Sequence, residues 1–190
     1  MKFISLISQL KERYYDDIKY TDNQVCLLGP NASEALIAVH FLYAPMSKTL
    51  MQYFVQSYKR TIPTDLLAIY SYANGMELFR TMRKFSNGLR IPASQISIYG
   101  IPLLSDRKHL EPLNICIEDL SRPLGTPKTW LKFGCNREIC QEAIVSESEL
   151  FVDTEVGTVY QSIRGQNSIQ INEQWPSIDD CLCKLVEKLL

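Results

Sequence analysis

The sequence predicts an α+β domain: N-terminal helices, a central antiparallel sheet of short strands, and a C-terminal helix. Three observations carry that expectation. Apolar residues at helical spacing dominate the first third, extended runs broken by turn residues follow one another from Trp130 to Ile163, and an amphipathic stretch closes the sequence. With 190 residues, 46% apolar and 22% charged, the chain suits one domain with its own core.

Taken in order, Phe3, Leu6, Ile7, Leu10, Tyr14 and Ile18 repeat at helical spacing, with Lys11, Glu12 and Arg13 opposite. Val25 to Leu28 is a short apolar run, ended by Gly29-Pro30. Asn31 or Ser33 then suits the cap of a helix through Tyr43, which Pro45 breaks and which places His40 among apolar neighbours. Ser47 caps the next helix, whose stripe is Leu50, Met51, Phe54, Val55 and Tyr58.

The stretch Ile62 to Ile101 organises the rest. Thr64 is its expected cap, and Leu66, Leu67, Ile69, Tyr70 and Tyr72 are its inward residues. Asn74-Gly75 ends the helix, since both residues tolerate the left-handed conformation of a helix C-terminus. Met76 to Phe79 leave extended, a turn-rich insertion runs from Arg80 to Gln95, and Ile96 to Ile101 form a second strand. Pro102 to Lys128, rich in proline and charge, is expected to be a long connection. Short strands are expected at Trp130–Phe133, Ile139–Val145, Glu149–Asp153 and Thr158–Ile163, the last two joined by a turn over Asp153 to Gly157. Pro176-Ser177 introduce a helix from Ile178 to Leu190, with Ile178, Leu182, Leu185, Val186 and Leu189 on one face.

Charge narrows the function. Twenty basic against 21 acidic residues argue against wholesale nucleic-acid binding. No apolar stretch approaches the ~20 residues of a membrane span, and the N-terminal apolar run is too short and broken for a signal peptide. A cytoplasmic location is therefore expected. The six cysteines, Cys26, Cys116, Cys135, Cys140, Cys181 and Cys183, form no C-x-x-C, and neither His40 nor His109 stands at zinc-finger spacing from one. Reduced thiols packed as small apolar residues are the expectation. No phosphate loop, dinucleotide fingerprint or metal-binding motif appears, so no cofactor or metal is expected. The adjacent carboxylates Asp16-Asp17, Glu118-Asp119 and Asp179-Asp180 point apart in a helix or strand, and make no acid–base pair. A nucleophilic Cys135 or Cys140, flanking a loop and served by a histidine distant in sequence, keeps a small cysteine-dependent enzyme as an alternative. The ten tyrosines suit either a binding surface or half-buried structural positions.

Several short motifs recur in order: Ile62-Pro63, Asn74-Gly75 with Glu77-Leu78-Phe79, Ile98-Tyr99-Gly100, Phe133-Gly134, the hairpin from Asp153 to Tyr160, and Trp175 to Leu185. Together they resemble the SUKH superfamily, which includes a fungal cell-wall-synthesis regulator and many bacterial immunity proteins. The resemblance spans residues 31–190, leaving 1–30 as an N-terminal helical extension of a single domain 1–190. Cys135-Asn136-Arg137 after Gly134, and the long insertion Arg80 to Gln95, depart from the family pattern. The resemblance implies a non-enzymatic binding module: an immunity protein that occupies a toxin domain, commonly a nuclease. A nuclease presents positive charge, so its inhibitor is expected to meet it with carboxylates. The candidates are Glu118, Asp119, Glu147, Glu149, Asp153 and Glu155. A regulatory or scaffolding protein of the same fold, with no toxin partner, is a further alternative.

Overall fold

The computed structural model describes residues 1–13, 18–20, 26–28, 36–57, 61–84, 90–93, 96–101, 123–140, 143–163 and 167–189. In chain order the elements are α1 (Lys2–Arg13), β1 (Lys19–Tyr20), β2 (Cys26–Leu28), β3 (Leu36–Leu42), α2 (Lys48–Ser57), α3 (Thr64–Tyr72), β4 (Met76–Lys84), β5 (Arg90–Ala93), β6 (Ile96–Ile98), β7 (Trp130–Cys140), β8 (Ala143–Asp153), β9 (Val159–Ile163), β10 (Ile171–Trp175) and α4 (Ile178–Glu187). The α+β architecture is as expected. Its strands form one ten-stranded sheet in the order β1-β2-β3-β4-β6-β7-β8-β9-β10, with β5 beside β4. Every neighbouring pair is antiparallel. Residues 1–30, expected to be a helical extension, contribute α1 and also the two short strands β1 and β2.

Three helices lie on one face of the sheet. Phe3, Ile7 and Leu10 of α1, Leu66, Ile69 and Tyr70 of α3, and Ile178, Leu182, Leu185 and Val186 of α4 bury against Met76, Ile98, Phe133, Leu150 and Val152. Removing that apolar area from water is the main force holding the layers together. The start of α1 is tied to α4 by Asp179, whose carboxylate accepts the backbone N–H groups of Lys2 (3.0 Å) and Phe3 (2.9 Å). These are N-terminal groups that a helix cannot satisfy within itself. Ser177 caps α4 as expected, its Oγ accepting the Asp180 N–H at 3.0 Å.

The stretch expected to be a helix from Asn31 or Ser33 to Tyr43 is instead strand β3 over Leu36–Leu42, paired with β2 on one side and β4 on the other. An apolar run interrupted only by His40 carries no period to separate a buried strand from a buried helix, and Ile37, Val39 and Phe41 favour the strand. Thr64 does not cap α3. Pro63 holds that place with φ −56° and ψ 141° and makes no side-chain cap. Of the four short strands expected, the last is found as β9, while Trp130–Phe133 and Glu149–Asp153 are the ends of the eleven-residue β7 and β8. Ile139–Val145 is not one strand: it takes in the end of β7 and the start of β8, which pair with each other. The turn-rich insertion supplies the far end of β4 as well as β5. β10 was not expected at all. The connection Pro102 to Lys128 lies largely outside the described residues.

Candidate functional site

The acidic candidates of β8 lie on the sheet face opposite the helices. Directly paired residues of an antiparallel sheet share a face, and the register sets out one row there: Phe41, Glu77, Ser97, Cys135, Glu149 and Ser162. Two residues along, Lys132, Phe151 and Tyr160 form a parallel row, and Arg137 stands opposite Glu147. A half-solvated sheet would leave such a face in water. Here it is covered, with Ser97, Cys135, Glu149, Phe151 and Ser162 all buried.

Among the described residues, the charges on this face have partners. Lys132 Nζ meets Glu149 Oε1 at 2.6 Å, with both side chains nearly buried. Arg137 donates to Glu147 Oε1 at 2.8 Å. Tyr43 Oη donates to Glu77 Oε1 at 3.1 Å. Trp130 and Tyr160 stack with ring centroids 4.0 Å apart and planes 8° from parallel, and the indole Nε1 donates to Asp153 Oδ2 at 3.2 Å. The other oxygen of Asp153 accepts the Glu155 N–H at 2.9 Å and shapes the turn between β8 and β9. Gly157 takes φ +80° there, a conformation glycine adopts without steric cost.

The six candidates therefore part company. Glu149 is buried and ion-paired, Glu147 is half-buried and ion-paired, and Asp153 is half-buried and engaged by Trp130 and the turn. Glu155 is exposed at the hairpin tip, beside Val156 at 67% exposure. Glu118 and Asp119 lie outside the described residues. Sequence reasoning found the acids but missed Lys132, Arg137 and Trp130. Their signal was present only in the β7–β8 register, which the sequence does not print.

The cysteine alternative meets a geometric obstacle. Cys135 and Cys140 belong to one strand, β7, Cys140 as its last residue and Cys135 well inside it. Cys135 sits mid-strand between Ser97 and Glu149. His40, on β3, is separated from β7 by β4 and β6, three strand spacings or about 14 Å, so the two side chains do not meet. His109 lies outside the described residues. On α4, burial pushes the thiols of Cys181 and Cys183 up, further from the reactive thiolate. No cluster of metal-ligating side chains occurs among the described residues, and no described helix is long and apolar enough to cross a membrane.

A groove of about 600 Å³ runs between α1 and α4, with Leu6, Trp175 and Cys183 at its apolar part and Lys2, Asp180 and Lys184 on its rim. Both signs of charge line it, and Lys184 is already paired with Glu187 at 3.0 Å. It selects no ligand by charge.

The motif residues turn out to be architectural. Asn74 bridges Ile101 twice, donating to its carbonyl at 2.9 Å and accepting its N–H at 2.8 Å, which pins the end of α3 to the exit of β6. Gly75 follows at φ +96°. A Cβ on Gly134 would stand 2.4 Å from the backbone oxygen of Ser97, so the β6–β7 approach needs glycine. Comparison with family models, curated proteins and solved structures yields no match.

Proposed function

We propose that this chain is a non-enzymatic protein-binding module, an immunity protein that neutralises a cognate toxin domain of the nuclease type in the cytoplasm. One observation carries the reading. The buried polar row from Glu77 to Ser162 contains charge and a thiol, yet its carboxylates are taken up by Tyr43 and Lys132. Catalysis asks for a nucleophile with a base in reach, and Cys135 has no described histidine beside it. Such a face favours a rigid platform over a reacting centre. The ordered motifs that resemble the SUKH superfamily supply the toxin-binding part of the proposal.

The partner meets the chain at the β8–β9 tip, where Glu155 offers exposed charge next to the apolar Val156. A carboxylate beside an exposed apolar side chain suits a basic protein surface. Capture from the native cells, with the tagged chain as bait and mass spectrometry as readout, tests the function. A single stoichiometric partner whose nuclease activity is abolished on binding is the expected result. An empty capture in cells shown to express the neighbouring genes removes the immunity reading. A cysteine-dependent enzyme would instead show one thiol labelling far faster than the others at neutral pH.

A further inference from the structure

β4 changes neighbours part-way along its length. Met76 to Leu78 pair with β6, and Thr81 to Lys84 pair with β5, while β3 runs beside both halves. At the changeover the β3–β4 register slips: Val39 faces Arg80, Phe41 faces Glu77, and His40 alone stands against Leu78 and Phe79. This is a β-bulge at a fork in the sheet. Phe79 sits in it at φ +55°, the only positive φ of a non-glycine residue among the described residues. A bulky side chain holds that conformation only where its surroundings impose it.

His40 is the group in position to impose it. Its Nδ1 accepts the Phe79 N–H at 3.2 Å, replacing the ladder carbonyl that the bulge removes. Its ring meets the Phe79 ring edge-on, with centroids 4.7 Å apart and planes at 77°. Both residues are buried. An accepting Nδ1 requires the neutral imidazole, with its proton on Nε2.

We propose that His40 is a proton-sensitive latch on this fork. Neutral, it holds the bulge closed through Nδ1; protonated, it presents a second donor to the Phe79 N–H and lets the distal arm of the sheet open. The distal arm is Leu36–Val39, Thr81–Lys84 and β5, and the part that stays is β6 to β9. Burial lowers the imidazole pKa, to about 4. On β4 the neighbouring charged residues are Glu77, whose carboxylate takes the Tyr43 hydroxyl, and Arg80, opposite Val39; β2 places Leu28 opposite His40. The latch is therefore closed at neutral pH and opens in strongly acidic surroundings.

Amide exchange and an NMR titration of the full chain test this. In the wild type, the His40 imidazole and the Phe79 amide shift together near pH 4, and Phe79 loses protection while Leu150 keeps it. His40→Asn retains an acceptor that does not titrate, so Phe79 stays protected through that midpoint. His40→Leu removes the acceptor, and Phe79 protection falls on the order of tenfold at pH 7 while Leu150 is unchanged. The proposal is overturned if His40→Asn shows the same acid transition, if His40 titrates without moving Phe79, or if Phe79 and Leu150 lose protection together. The wild-type titration and His40→Asn decide the matter even where His40→Leu does not fold.

Discussion

Between β6 and β9 both faces of the sheet are buried at their centres, and they differ in what they bury. The face under α1, α3 and α4 carries Ile98, Phe133, Leu150 and Val152, each at most 1% exposed. The other carries Ser97, Glu149 and Ser162 at 4% exposed or less. On the first face, stability scales with apolar area and is insensitive to fine geometry. On the second, the charged groups depend on particular partners, because a buried charge left alone costs several kcal/mol while a satisfied pair contributes little net. Burial alone therefore says nothing about what holds a layer together.

The largest effect should come from the apolar face. Leu150→Ala is expected to cost roughly 3–5 kcal/mol by denaturant unfolding, since it opens a cavity under the helices. A loss below about 1 kcal/mol would mean that the helix layer packs loosely. The polar face should respond pairwise instead. Lys132→Met or Glu149→Gln alone should cost about 3 kcal/mol, by stranding the other charge in a dry layer. The double variant should show a coupling of about 1–3 kcal/mol. Strict additivity would place these side chains in water and erase the contrast between the faces.

Acid sharpens the comparison at the fork. A histidine protonates near 6.5 when unfolded, whereas His40 in the fold does so at about 4. The unfolded chain therefore binds the proton first, and stability falls as pH drops from about 6.5 to about 4, by roughly 3 kcal/mol in total. His40→Asn should flatten that part of the pH–stability curve. At the hairpin tip the effect should be smallest: Glu155→Lys touches no buried group and should stay within about 0.5 kcal/mol of the wild type.

Much of the fold was legible because it was written in local chemistry. Asn74-Gly75 just past the end of α3, Gly157 in the β8–β9 turn and Ser177 at the start of α4 are turn and cap residues that stand where expected. The left-handed helix end was not found: α3 closes on an extended Ala73 at φ −154°, and Asn74 acts through its side chain on Ile101. What escaped was non-local. The stretch of β3 reads equally as a helix because Leu36 to Leu42 is apolar but for His40, and its strand character comes from having partners on both sides. β10 escaped because Ile171 to Trp175 is an edge strand with mostly exposed side chains and no alternation to detect. The acids of β8 looked alike in sequence. Only the pairing of Lys132 with Glu149, 17 residues apart, separates the structural carboxylate from Glu155 at the tip.

That separation matters for any binding experiment. Reversing Glu149 would place two ammonium groups together in a buried layer, and reversing Asp153 would release Trp130. Loss of binding in either variant would report unfolding as readily as contact. The cleanest measurement is the affinity of the captured partner for the wild type and for Glu155→Lys/Val156→Asp, with thermal unfolding of both followed in parallel. Unchanged unfolding and at least a tenfold weaker complex, on the order of 1.4 kcal/mol, are expected. A variant that unfolds like the wild type and binds its partner with the same affinity would contradict this, and would move the interface away from the tip.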